Sequence, residues 1–337
     1  MDTYDSIGIV VRSIIACIGV VSNLVFLILI YSFTTSSLKS YSVLMANIAL
    51  TDLIYALTIP MELAKFIFTR ERLFLLYYGL CQYISRESCI LVHGIWNHCL
   101  EHCLNLTMLS FIFRYRVLKN KSPSVRKLVL IIFVVYIPSF CQIPMLYMCD
   151  EERSKHDAIR KANGFDFKNT MYGVSLPYTS PVLALTMLMS AGPSYVIFPA
   201  ALFIRWRIDK QLSNSSLNLS AHTKKTHKTL IKALSLQTAC LFVIVLADIA
   251  LAANMYETKQ ISWLENLLMF FIAFPPAISP MISIYYVKNY RVGLINFLTF
   301  KKRIRDGLST EVESGRNDYS TRGRKSIPNI STTAITP

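Results

Sequence analysis

The chain holds seven apolar stretches, each long enough to cross a bilayer, and these constrain its fold more than any motif. They are Ser13–Tyr31, Val43–Met61, Ser88–Phe113, Leu128–Met148, Val182–Ile204, Ala233–Ala253 and Asn266–Val287. About 20 mostly apolar residues, wound as a helix, span the hydrocarbon core. Four of the seven carry no Asp, Glu, Lys or Arg; the others carry one each, Asp52, Glu101 and Asp248. A helix on a soluble domain needs a polar face, and runs this long without charge have none. A hydrophobic fraction of 53% against 16% charged residues agrees. The expected fold is all-α, a seven-transmembrane helix bundle over residues 1–300.

Lys and Arg collect in cytoplasmic loops. With seven spans, the segments on the C-terminal side are 32–42, 114–127, 205–232 and 288–337, and they hold 24 of the 35 Lys and Arg. The C-terminus is therefore cytoplasmic and the N-terminus outside. This asymmetry accounts for most of the net charge of +15 and calls for the lipid bilayer, not nucleic acid, as partner. The loops are short, so one membrane domain is expected, with no soluble module. Residues 301–337, rich in Ser, Thr and Arg, are expected to be a disordered cytoplasmic tail. Residues 288–300 place basic and apolar residues at helical spacing, which suits a short helix on the inner membrane surface. Eight prolines fall within the spans, and the cluster Pro275, Pro276 and Pro280 must distort the last one.

Few residues offer chemistry. His98, Glu101 and His102 form H-x-x-E-H, a pattern found in one class of zinc peptidase. Such a site also needs another ligand and access for water, and no distal acidic motif stands out. The expected role is a polar stripe on a central helix, a ligand-binding patch facing the bundle interior. No phosphate-cradling or dinucleotide-binding glycine pattern and no Ser-His-Asp signature is present, so neither catalysis, nor a cofactor, nor a metal is expected. Cys81 and Cys149 both sit at the oxidising outer side, near the ends of adjacent spans, and are expected to form a disulfide. Arg114 and Tyr115 end the third span on the inner side. Lys224, Lys225 and Lys228 precede the sixth. These five can anchor to anionic lipid or dock a cytoplasmic partner.

Several local patterns resemble those of rhodopsin-like G-protein-coupled receptors. Gly19-Val-Val-Ser-Asn23 lies in the first span and Asn47-Ile-Ala-Leu-Thr-Asp52-Leu53 in the second. Phe113-Arg114-Tyr115 stands where such receptors carry Asp-Arg-Tyr, and Ser279-Pro280 through Tyr285 stands near their Asn-Pro-x-x-Tyr. The chain is more similar to nematode serpentine chemoreceptors of the delta class. That resemblance rests on Phe113-Arg-Tyr-Arg-Val-Leu118, on Lys224-Lys225-Thr-His227-Lys228 leading to Gln237, and on Pro280 through Ile-Tyr-Tyr-Val-Lys-Asn-Tyr-Arg291. It covers residues 8–300. The sixth span departs from it, lacking the proline often found there. The resemblance implies a chemosensory receptor in the cell membrane of a neuron's sensory cilium. Such a receptor detects a small extracellular chemical and activates a heterotrimeric G protein through Arg114, Tyr115 and the three lysines. A seven-span transporter or ligand-gated channel subunit is the alternative. It calls for charges along a path and often an internal repeat.

Overall fold

The computed structural model describes residues 3–35, 39–68, 72–119, 123–149, 173–213, 221–254 and 262–299. Ten helices are described: α1 (Thr3–Phe33), α2 (Lys39–Glu62), α3 (Arg86–Leu118), α4 (Val125–Phe140), α5 (Gln142–Cys149), α6 (Pro181–Ser213), α7 (Ala221–Asn254), α8 (Ser262–Ala273), α9 (Pro275–Tyr286) and α10 (Lys288–Leu298). Residues 1–291 form one compact unit. The second unit, residues 292–337, is described only through Thr299, and its described part is helical up to Leu298. The expected disordered tail lies outside the described residues.

Seven spans follow, with α4–α5 as the fourth and α8–α9 as the seventh. Six of them are long and apolar enough to cross a membrane. α3 is not, and its position shows why. It packs against α2, α4, α5, α6 and α7. A helix enclosed by neighbours has little lipid to satisfy, so His93, Asn97, His98, Glu101, His102 and Arg114 can all be buried along it. α1 shows the opposite arrangement. Ile7, Val10, Ile14, Ile18, Val21 and Ile28 are exposed at spacings of three to seven residues along the helix, while Arg12, Ala16, Asn23, Phe26 and Ile30 are buried. The exposed apolar stripe is the face suited to lipid.

The prolines break the seventh span between α8 and α9. Pro276 has no N–H for the carbonyl of Ile272, and the Tyr55 hydroxyl donates to that carbonyl at 2.8 Å. Pro280 has none for the carbonyl of Pro276, and Asn23 Nδ2 donates to it at 2.8 Å. Interhelical hydrogen bonds in membranes average only about 0.6 kcal/mol. Their weight here lies in leaving no carbonyl bare in hydrocarbon. Gly19 lets α1 approach both α2 and α9: a Cβ there would sit 3.0 Å from Ala56 Cβ and 3.6 Å from Ala277 Cα. Gln237 of α7 ties the same span on its other side, donating to Ser279 and Ser283 of α9.

An all-helical chain is the expectation for the membrane part, yet the outer end carries a small antiparallel sheet. Its strands are β1 (Ala64–Phe68), β2 (Arg72–Tyr77) and β3 (Gly173–Pro177), in the order β1-β2-β3. Phe66 pairs with Leu75, and Leu73 with Leu176. Leu73, Leu75 and Tyr77 alternate onto one face, packed with Ile90, Leu146 and Leu183. Phe74 and Leu76 take the other face with Ile67. The segment was too short and too close to the membrane for its alternation to stand apart from the neighbouring spans.

Candidate functional site

Beneath the sheet lies a cavity of about 270 Å3. Phe66, Leu73 and Leu176 of the three strands roof it; Leu100, Met187 and Met269 help wall it. Its polar groups are few: His93 and Asn97 on α3, Thr186, Ser190 and Tyr195 on α6. His93 and Asn97 are four residues apart and so share a helix face. Trp96 stands beside them, stacked on His93 with ring centroids 5.3 Å apart. Apolar walls with a few placed polar groups are the usual form of a small-molecule site.

A belt of acids with hydrogen-bond partners supports this cavity. His93 Nδ1 meets Glu62 Oε2 at 2.9 Å, with both side chains buried. Arg12 Nη1 donates to the carbonyl of Ala64 at 2.9 Å, clamping α1 to β1. Arg12 and Glu62 line one small space of about 20 Å3. Glu265 Oε1 accepts the Phe66 N–H at 2.7 Å. Asp5 accepts from Lys65 at 2.7 Å and from Asn266 at 3.2 Å. Burial alone would lower the Lys65 pKa, but the hydrogen bond and charge of Asp5 outweigh it and hold the ammonium above the usual lysine range. Asp5 and Glu265 each sit in the first turn of a helix, where the N–H dipoles favour a carboxylate.

The three residues expected to bind ligand stand apart from this cavity. His98, Glu101 and His102 do not line the cavity. They form the seam between α3 and the α2/α4–α5 side. Gln142 Nε2 donates to Glu101 Oε2, and Asn105 Nδ2 donates to Oε1 at 3.4 Å. His98 and His102 lie edge-on to Tyr136, at 4.5 and 4.9 Å between centroids. His102 Nε2 bonds Asn47 Oδ1 at 3.3 Å. The stripe faces inward and each side chain meets a neighbouring helix, while His98 Nδ1 and His102 Nδ1 have no hydrogen-bond partner among the described residues. Helical periodicity put the polar groups on one helix without saying which neighbour each would meet. Among the described residues, no three His, Cys, Asp or Glu side chains converge to hold a metal.

The disulfide expectation is corrected as well. Cys81 is bonded to Cys89, not to Cys149, with their Cα atoms 5.0 Å apart. A 3-10 turn over Leu80–Tyr83 leads straight into α3. That turn brings two cysteines eight residues apart within bonding reach.

At the inner end Arg114 is only 3% exposed. Its guanidinium carbon lies 3.5 Å from the centre of the Tyr41 ring. Tyr41 in turn stacks on Phe113, with centroids 5.5 Å apart. Arg114 Nε and Nη2 have no hydrogen-bond partner among the described residues. Tyr115 is half-buried, with Lys119 Nζ 4.6 Å over its ring. Lys225 and Lys228 are exposed and Lys224 is half-buried, all on the stretch of α7 that precedes its apolar part. Arg114 thus sits apart from the three lysines in character: it is buried, and at least two of them face solvent.

A family model described as "Serpentine type 7TM GPCR chemoreceptor Srd" matches residues 9–296. The chain belongs to the Srd family of serpentine seven-transmembrane chemoreceptors. Among curated relatives from Caenorhabditis elegans, serpentine receptor class delta-3 is 28% identical over 302 residues, covering 86% of this chain and 87% of its own. Serpentine receptor class delta-1 is 27% identical, over 88% of this chain and 82% of its own. Serpentine receptor class delta-18 is 26% identical, over 95% and 96%. Srd is a receptor family, not an enzyme family, and its members are multi-pass membrane proteins.

For this Srd protein, reading the sequence missed Arg12, Glu62, His93, Asn97 and Tyr41. A signal existed for the first three. Arg12 and Glu62 bound adjacent spans at the same outer depth and carry opposite charge, and His93 precedes the H-x-x-E-H run by five residues. No pattern marked Tyr41, whose role depends on how α2 lies against α3.

Proposed function

We propose that this Srd receptor detects a small extracellular chemical in the cavity beneath the sheet and activates a heterotrimeric G protein at its inner mouth. The observation that carries the reading is the cavity itself, enclosed by apolar side chains around the His93–Asn97 pair. The alternative, a channel or transporter, has no comparable support from the paired outer charges, which are bound to one another. Arg114 is the coupling residue in this reading. With Phe113 where an acid would stand, Arg114 rests on Tyr41 by cation–π contact and keeps two donors unused. A partner's carbonyls or carboxylate can take those donors once the bundle opens. Tyr115, Lys224, Lys225 and Lys228 assist docking, the exposed lysines by long-range attraction. The receptor works in the membrane of a sensory cilium, where ligand shifts a pre-existing equilibrium between bundle states.

The test uses two variants at matched surface level, with agonist-evoked and basal nucleotide exchange measured on the G protein. Ala191→Phe fills the cavity and should abolish the response to agonist while leaving basal exchange. Arg114→Ala should abolish both. A full agonist response from Ala191→Phe sinks the cavity as ligand site, and unchanged exchange with Arg114→Ala reduces that residue to an anchor.

A further inference from the structure

The inner end of α6 carries an exposed stripe of side chains. Phe203, Trp206, Arg207 and Lys210 are spaced three and four residues apart along it, so they share one face, and all four are exposed. Ala201, Ile208 and Leu212 take the opposite side and pack against α3 and α7. The stripe therefore points away from the bundle, toward the bilayer. It is graded along its length. Phe203 lies within the fifth apolar run, which ends at Ile204. Trp206 stands just past that end, at the headgroup level that indoles favour, and the two cations follow within a turn.

The rings hold the cations in place. The Arg207 guanidinium carbon lies 5.2 Å from the centre of the Phe203 ring and 5.7 Å from that of Trp206. Lys210 Nζ lies 5.4 Å from the Trp206 ring. Both are within reach of cation–π attraction. α3 brings a third cation. Lys119, exposed at the end of that helix, has Nζ 4.6 Å over the Tyr115 ring. The charges of Lys119 and Arg207 both act on the Tyr115 hydroxyl, so the two helices gather their cations around one phenol. Asp209 on the same stretch of α6 is turned to Arg205, at 3.8 Å. Among the described residues, none of Lys119, Arg207 and Lys210 pairs with a carboxylate. Like charges gathered without a counter-ion repel one another, and an anion set among them is drawn by all three.

A protein partner at the inner mouth does not account for this stripe, because Phe203 lies at hydrocarbon depth. A phospholipid matches the grading: acyl chain against Phe203, glycerol beside Trp206, headgroup on the cations. Three cations exceed the single charge of a phosphodiester. Each phosphomonoester adds about 1.5 to 2 negative charges and three acceptor oxygens, which a guanidinium fork and two ammonium groups can fill. Basic clusters just cytoplasmic of membrane helices suit such headgroups. We propose that the seam between α3 and α6 binds an inner-leaflet phospholipid with phosphomonoesters on its headgroup, a phosphorylated inositol lipid. Lys119, Arg207 and Lys210 grip the phosphates, and one chain lies along Phe203 and Trp206.

The test needs neither agonist nor G protein, so its outcome is independent of the cavity. Purified receptor in phosphatidylcholine nanodiscs is titrated with dioctanoyl phosphatidylinositol bisphosphate, dioctanoyl phosphatidylserine and inositol trisphosphate, following thermal stabilisation. The bisphosphate lipid should bind wild type at least about tenfold more tightly than either of the others, the scale of one charge-assisted hydrogen bond. The double variant Arg207→Gln, Lys210→Gln should weaken that lipid by at least about tenfold, and Lys119→Gln alone by about tenfold. Arg205→Gln removes the same charge from the other side of α6 and should cost less than about twofold. All these positions are exposed, and the midpoint without added lipid checks that each variant folds. Phosphatidylserine binding as tightly as the bisphosphate lipid would leave only general attraction to anionic membranes. Inositol trisphosphate binding as tightly would make this a site for a soluble phosphate. Equal losses in Arg205→Gln and the double variant, or none in Lys119→Gln, would dissolve the seam between the helices. Each of these results overturns the inference.

Discussion

The two ends of the bundle treat buried charge in opposite ways. At the outer end, every acid of the belt has a partner: Glu62 has His93, Asp5 has Lys65, and Glu265 has a backbone N–H. At the inner end, Arg114 is buried against an aromatic ring with two donors unspent. Breaking a buried pair leaves a bare charge and costs about 3–5 kcal/mol. A cation over a ring holds by about 1–2 kcal/mol. The outer end is thus built to stay in one arrangement and keep a cavity in shape. The inner end is held by a weaker contact. The proposed function calls for both, a stable ligand site and an output that can move.

Glu62→Ala should produce the largest effect. It strands Arg12 and His93, and a loss of about 3–5 kcal/mol should leave little receptor at the cell surface. Near-normal surface labelling would show that the outer belt is not the rigid half. Next is Cys89→Ser, which opens the Cys81 bridge. Loop-closure entropy for so short a loop is about 2–3 kcal/mol, and the thermal midpoint in nanodiscs should fall accordingly. Cys149→Ser should leave the midpoint unchanged, and a drop there would restore the Cys81–Cys149 pairing. Tyr41→Leu probes the inner end and should act on output more than on stability. Losing about 1–2 kcal/mol from the resting state should raise basal nucleotide exchange about five- to thirtyfold, while Tyr41→Phe keeps the ring and the resting rate. Equal basal rates for both variants would remove the contrast between the ends. The smallest effect belongs to Lys65→Met, under about 1 kcal/mol for a partly hydrated pair at the rim. Because Asp5 raises the Lys65 pKa, that contribution is complete below the ordinary lysine range and disappears only as pH rises through the raised value. Wild type and Lys65→Met should therefore differ by a constant amount through neutral pH and converge in strongly alkaline solution; a difference that changes between mildly acidic and neutral pH would assign the stability to other groups.

The spans were legible because hydrocarbon imposes one composition on whatever faces it. Ile7 through Ile28 on α1 could be read as a lipid face from the residues alone. The break at Pro275 and Pro276 was legible too, since a missing N–H cannot be restored by context. Which group would take the freed carbonyl was not, and Tyr55 and Asn23 are answers that only the approach of α2 and α1 could give. The sheet was hidden for a related reason: Leu73 and Leu75 acquire their meaning from the cavity below, which the segment's own pattern does not contain.

α3 shows where the division falls. Its sequence places His93, Asn97, His98, Glu101 and His102 within three turns of one helix, and an enclosed position follows from so many polar groups at membrane depth. The most conspicuous motif among them, H-x-x-E-H, contacts α2, α4 and α5. The plainer pair one turn earlier faces the cavity. Residue type and spacing determined the fold, its orientation and the helix that would carry the site, because those depend on the solvent each residue can tolerate. Only the tertiary structure decided which polar side chain met a protein partner and which met open space, because that depends on the angle at which each neighbour crosses α3.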